Sequence, residues 1–159
     1  MVGQECFEEA LLEGTREVFE TMMFMAVEEC NELYEGIEGQ ALLGTITFRG
    51  DIEGCLGVCC GLGTAQMIAA NMLGLDPGEE APADEVPDAI GEVANMVMGA
   101  IKSRIAEAVG DVQVSIPTVV SGTELENSLG DDARRICRLV SIDDMPTLLT
   151  FLYRDRKSQ

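Results

Sequence analysis

The segment DAIGEVANMVMGAIKSRIAEA, residues 88–108, restricts the fold more than any other part of the chain. Ile90, Val93, Ala94, Val97, Ile101, Ile105 and Ala108 recur at i, i+3, i+4, i+7, which is the spacing of one broad helical face. A face this wide has to be covered, and the strand-like runs elsewhere in the chain supply a sheet to dock it on. The other side carries a narrow polar stripe. At about 100° per residue, Asp88, Glu92, Asn95 and Gly99 fall within roughly 60° of one another. Docking the apolar face therefore turns these four residues outward. Asn is a poor mid-helix residue because its side chain competes for backbone hydrogen bonds. A carboxylate and a carboxamide one turn apart, beside a glycine that lowers the surface, form a plausible docking and water-positioning site. The competing reading is a plain solvated face, since Glu-x-x-Asn also occurs at Glu28/Asn31 and Glu124/Asn127.

Composition narrows the function. The 159 residues, 47% hydrophobic and 25% charged, fit one globular domain, 1–159, with room for a core. The net charge of −19, from 29 acidic and 10 basic residues, disfavours nucleic acid and anionic membrane surfaces. The longest apolar runs are too short to span a bilayer, and no signal peptide opens the sequence. The expected location is the cytoplasm. With no histidine present, Ser-His-Asp and Cys-His catalysis and histidine metal ligation are excluded. No Gly-x-x-x-x-Gly-Lys-Ser/Thr or Gly-x-Gly-x-x-Gly motif signals a nucleotide site. Of six cysteines, Cys55, Cys59 and Cys60 cluster in GCLGVCCG. On a strand, Cys55 and Cys59 face one side and Cys60 the other. Without a second ligand pair they read as reduced core residues, with no metal site.

Along the chain, a first helix is expected over about 5–32, on the spacing of Phe7, Leu11, Val18, Met22 and Met25. Strands follow at Leu42–Arg49 and Gly54–Cys60, joined by a Gly50-Asp51 turn. Thr64 is read as the cap of a short helix, Ala65–Leu73, that stops at Gly74. An acidic, proline-rich connector leads to Asp84, the expected N-cap of the striped helix. Three more strands are expected: Val112–Ser121, Ile136–Ile142 and Thr147–Tyr153. Pro117 makes the first of these an edge or a bulged strand, and Asp143-Asp144 is the turn between the last two. LENSLGDDA reads as a surface loop. Glu17-Val18-Phe19-Glu20 echoes Glu92-Val93-Ala94-Asn95, which hints at a duplicated helix-plus-strands unit.

Asp88, Glu92, Asn95 and Pro117, in EVPDAIGEVANMVMGAI and SIPTVVSG, together with REVFETMMFM and RGDIEGCLGVCCG, resemble the CheC/CheX/FliY family of chemotaxis phosphatases, and its CheX branch most. The resemblance spans nearly the whole chain. It implies an α/β (α+β) fold with a largely antiparallel sheet, long helices packed on one face and a pseudo-two-fold repeat. It also implies dephosphorylation of the aspartyl phosphate on a CheY-like receiver-domain response regulator. An acyl phosphate is already activated, and the receiver brings its own Mg²⁺, carboxylates and lysine. The phosphatase needs no cofactor of its own and has only to place a water in line. On this reading Asn95 holds the water, Glu92 bonds the receiver's lysine, Asp88 helps docking and Gly99 permits close approach. A homodimer is implied too, with Thr147–Tyr153 as the candidate edge. A non-catalytic receiver-binding adaptor or flagellar-switch module is the alternative.

Overall fold

The computed structural model describes residues 3–30, 37–76 and 78–156. Helix α1 (Gln4–Arg16) is followed by β1 (Val27–Glu29), β2 (Ala41–Arg49) and β3 (Ile52–Gly61). Next come α2 (Leu62–Met72) and α3 (Glu85–Val109), then β4 (Gln113–Val114), β5 (Thr118–Gly122), β6 (Arg134–Ile142) and β7 (Met145–Asp155). Among the described residues the strands form one sheet in the order β1-β6-β7-β3-β2-β4, with β5 also on β2 and every pairing antiparallel.

This order contains the repeat at which the sequence hints. β3 and β7 lie at the centre, β2 and β6 flank them, and β1 and β4/β5 are outermost. Exchanging the α1–β1–β2–β3 unit with the α3–β4/β5–β6–β7 unit maps the strand order onto itself. α2 is an addition to the first unit with no counterpart.

The helices pack on one sheet face. Phe7 of α1 stacks on Phe151 of β7, with ring centroids 5.6 Å apart, and meets Tyr153 at 4.5 Å. Phe48 of β2 also stacks on Phe151, at 5.0 Å. Ile90, Val93, Ala94, Val97, Ile101 and Ile105 of α3 are buried as expected. Ala108 is instead exposed, and Val109 takes the last core position. Two glycines allow close approach. A Cβ at Gly44 of β2 would lie 3.2 Å from the Ile90 carbonyl oxygen, and one at Gly14 of α1 would lie 3.2 Å from Ile101 Cγ1.

Several expectations need correction. The first helix does not run through 5–32. It passes into a π-helical turn, Glu17–Met22, and ends at Met23. Phe24 then takes a positive φ of 55°, and 27–29 become a strand. The reversal is held by Met25 N–H donating to Phe19 O (2.8 Å) and Asn71 Nδ2 donating to Met23 O (2.9 Å). Residues 31 and 32 lie outside the described residues. α2 starts at Leu62 with Gly61 as its N-cap, and Thr64 is buried inside the first turn rather than capping it. Asp84 is the N-cap of α3 but makes no side-chain capping bond.

Val112–Ser121 is not one strand. Between the pairs Phe48–Val114 and Thr45–Thr118, two residues of β2 (Ile46 and Thr47) face three (Ser115, Ile116 and Pro117). This is a β-bulge on an outer strand, as a proline there requires. The Gly50-Asp51 turn is as expected, and both Asp143 and Asp144 take positive φ, 46° and 68°, in the β6–β7 hairpin.

The largest correction concerns Thr147–Tyr153. It is not an edge, because β7 pairs along its length with β3 on one side and β6 on the other. Its apolar character on both faces follows from that central position.

The loop from 123 to 133 straps the other sheet face. Buried Asn127 donates to Thr150 Oγ1 (3.1 Å) and accepts from Cys55 Sγ (3.4 Å). Arg135 reaches Asn127 O, and Arg154 reaches Leu129 O, both at 3.2 Å. Beneath the strap, Ala41, Leu43, Cys59 and Leu148 form a small second core beside a cavity of about 370 Å³.

Candidate functional site

The helix that buries its apolar face on β2 and β3 turns Asp88, Glu92, Asn95 and Gly99 to solvent, and all four are exposed. Among the described residues, no side chain of Asp88, Glu92 or Asn95 makes a hydrogen bond or ion pair within the chain. The other asparagines with described positions are used structurally: Asn71 fastens the reversal after α1, and Asn127 fastens the strap. Gly99 has open space around it, since a Cβ there would meet nothing within 4 Å. Packing within the chain therefore does not require a glycine at this position.

The electrostatics of α3 are divided along its length. Glu85 and Asp88 occupy the first turn, Glu92 follows, and Asp84 precedes them. The basic residues of the later half are engaged: Lys102 pairs with Asp111 at 3.2 Å, and Arg104 pairs with Glu17 at 3.4 Å. The stripe is thus an acidic surface with a neutral carboxamide in it, suited to a partner that presents a cation.

The flank of the stripe is built by the bulge. Gly91 is buried, and a Cβ on it would lie 3.5 Å from Pro117 Cγ and 3.3 Å from Val119 Cγ2. Pro117, which the spacing linked to the stripe from some twenty residues away, therefore rests on α3 between Asp88 and Glu92 in sequence. Ile116, which the sequence reading did not single out, is 85% exposed on the bulge. The signal for it was a large apolar residue directly before a proline in an outer strand.

The counterpart stripe in the first unit is occupied by structural work. Glu17, aligned with Glu92, is bonded to both terminal nitrogens of Arg104 at 3.4 Å. Glu20, aligned with Asn95, accepts from Val27 N–H at 3.2 Å. Of the other Glu-x-x-Asn matches, Glu124 sits on the strap with a φ of 53° and Asn127 is buried. Asn31 lies outside the described residues.

Cys55, Cys59 and Cys60 are buried free thiols distributed over the two sheet faces as expected. Burial pushes Cys55 and Cys59 up, and burial together with neighbouring Cys59 pushes Cys60 up to about 12. Among the described residues no group of three or more His, Cys, Asp or Glu side chains is placed to hold a metal ion. No described helix is long and apolar enough to cross a membrane.

Comparison with known proteins gives this geometry a family. Residues 42–140 match the model of the chemotaxis phosphatase CheX. The solved chemotaxis protein CheX from Vibrio vulnificus is similar, at 26% identity and a TM-score of 0.77, over 93% of this chain and 96% of that one. A CheX protein from Desulfovibrio desulfuricans has the same fold, at 18% identity and a TM-score of 0.77, over 93% and 99% of the two chains. So does the CheX of a CheX–CheY–BeF₃–Mg²⁺ complex from Borrelia burgdorferi, at 15% identity and a TM-score of 0.72, over 94% and 98%. A search of curated proteins gave no match. With the family model covering more than half of its length, the chain belongs to the CheX family of chemotaxis phosphatases.

Proposed function

We propose that residues 1–159 form one phosphatase domain that hydrolyses the aspartyl phosphate of a CheY-like receiver-domain response regulator in the cytoplasm. The observation that carries this reading is the unengaged stripe: Asp88, Glu92 and Asn95 are exposed, and no side chain of the three is tied to another described residue. The family match and the fold shared with the CheX of a CheX–CheY complex support a CheY-like partner. Presence of Mg²⁺ in that complex is in keeping with a metal brought by the receiver rather than by this chain.

Asn95 enters beside the acyl phosphate and accepts a hydrogen from the attacking water, which fixes it in line. A carboxamide is neutral and does not repel the phosphoryl oxygens. Glu92 is a poor base beside that anion, and its role is a charge-assisted bond to the receiver's lysine. Asp88 extends the acidic contact, and Gly99 lets the receiver backbone come close. The homodimer leaves Glu92 and Asn95 open, and its seam is not an edge of β7, which has none.

The test is phosphate release from a panel of phosphorylated receivers, with binding measured in parallel. Release that depends on Asn95 supports the reading. Binding without release by the wild-type chain would replace it with the adaptor reading.

A further inference from the structure

The bulge between β4 and β5 carries an exposed isoleucine, Ile116, one residue before the proline that packs on α3 at Gly91. Bulges at sheet edges can re-aim a side chain, and Ile116 is the middle one of the three residues, 115–117, that face two on β2. The segment is fastened on both sides. Ser115 N–H donates to Thr47 O (2.9 Å), Thr47 N–H donates to Ser115 Oγ (2.9 Å), and Ser115 Oγ donates to Ile116 O (3.0 Å). Pro117 then packs against α3 at Gly91. Ile116 is thus pre-ordered as well as exposed, so a partner that covers it pays little to fix the backbone.

We propose that Ile116 is an apolar docking contact for the same receiver domain that meets Asp88, Glu92 and Asn95, and that it sets affinity rather than rate. The inference rests on the receiver reading above. The occupant is argued from continuity, because Pro117 joins the bulge to α3 directly beside Glu92. It is argued also from chemistry: an acidic stripe flanked by one rigid apolar side chain fits a surface that presents a lysine next to an apolar patch, the usual make-up of a specific interface.

Ile116→Ser, Ile116→Leu and Val120→Ser are compared by steady-state phosphate release and by direct titration with a phosphorylated receiver. Val120 is also a partly exposed residue of this outer strand, but it pairs with Leu43 on the sheet face away from α3. Ile116→Ser is expected to raise KM and Kd about tenfold with kcat unchanged. Ile116→Leu should restore most of the affinity, and Val120→Ser should behave as wild type. Unchanged affinity in Ile116→Ser overturns the proposal, as does a fall in kcat at constant KM or an equal effect from Val120→Ser. These outcomes require a wild-type chain that engages receivers. A wild type that neither binds nor dephosphorylates any receiver sinks the receiver reading itself, and this inference with it.

Discussion

Gly44 of β2 lies against the backbone of Ile90 in α3, so closely that a Cβ on Gly44 would sit 3.2 Å from the Ile90 carbonyl oxygen and 3.0 Å from its Cγ2. This contact sets the height of the striped helix above the sheet. Because one of the two obstacles is the Ile90 carbonyl oxygen, rotating the Ile90 side chain alone does not clear the added methyl, and α3 itself has to shift. Gly44→Ala is expected to cost about 1–3 kcal/mol, the usual range for overpacking a core, as read by the urea midpoint.

Gly99 makes the opposite case. A Cβ there meets nothing, so Gly99→Ala should stabilise the helix by about 0.5–1 kcal/mol through backbone entropy. If a receiver approaches at this point, the same variant should bind it more weakly. A more stable protein with undiminished receiver affinity would show that Gly99 plays no part in docking.

Asn95→Ala should fold as wild type, since the side chain is exposed and makes no bond to another described residue. Loss of the positioned water should remove about 3 kcal/mol or more of transition-state stabilisation, a drop of more than about 100-fold in phosphate release. Turnover at the original rate would remove Asn95 from the chemistry.

If Glu92 meets the receiver's lysine as proposed, Glu92→Lys should weaken receiver binding and turnover by reversing that charge. Glu124→Lys and Glu28→Lys, on the strap and on β1, should have little effect. Equal losses at all three would mean that net acidity, rather than one contact, drives association.

The buried thiols predict a pH dependence. Cys60 ionises in the folded chain only at about 12, against 9.0 for an ordinary thiol, because burial and then Cys59 oppose its charge. A folded-state value raised above the unfolded one stabilises fully below the unfolded value and is lost as pH rises toward the folded one. Stability should therefore fall on going from about pH 9 to about pH 11, with a slope from this group of about 1.4 kcal/mol per pH unit. Urea midpoints across that range should fall less steeply in Cys60→Ala than in wild type.

Much of the candidate site's arrangement was legible in the sequence because it lies on one long periodic helix. Period alone places Asp88, Glu92, Asn95 and Gly99 together and turns them outward. The contact of Pro117 with Gly91 was out of reach, because it depends on a bulge, and a bulge is a mismatch between two strands that one strand does not reveal. The end of the first helix was hidden by Met22, Met23, Phe24 and Met25, which suit a helix. What ends it is the tertiary bond from Asn71 to Met23 O, the backbone bond from Met25 N–H back to Phe19 O, and the use of Glu20 to hold Val27. Reading Thr147–Tyr153 as an edge treated position in the chain as position in the sheet, and the pseudo-two-fold order separates the two.

The central place of β7 bears on how the protein is made. Synthesis delivers α1, β1, β2, β3, α2 and α3 well before residues 145–155 leave the ribosome. Until then β1 and β6 share no strand with β3, β2 and β4, and the growing chain holds two fragments of sheet rather than one. Phe151, which Phe7 and Phe48 both stack on, arrives with β7 as well. The striped helix therefore emerges after the strands it packs on, β2 and β3, and a nascent chain stalled before Met145 would carry the acidic surface on a sheet still missing its central strand β7.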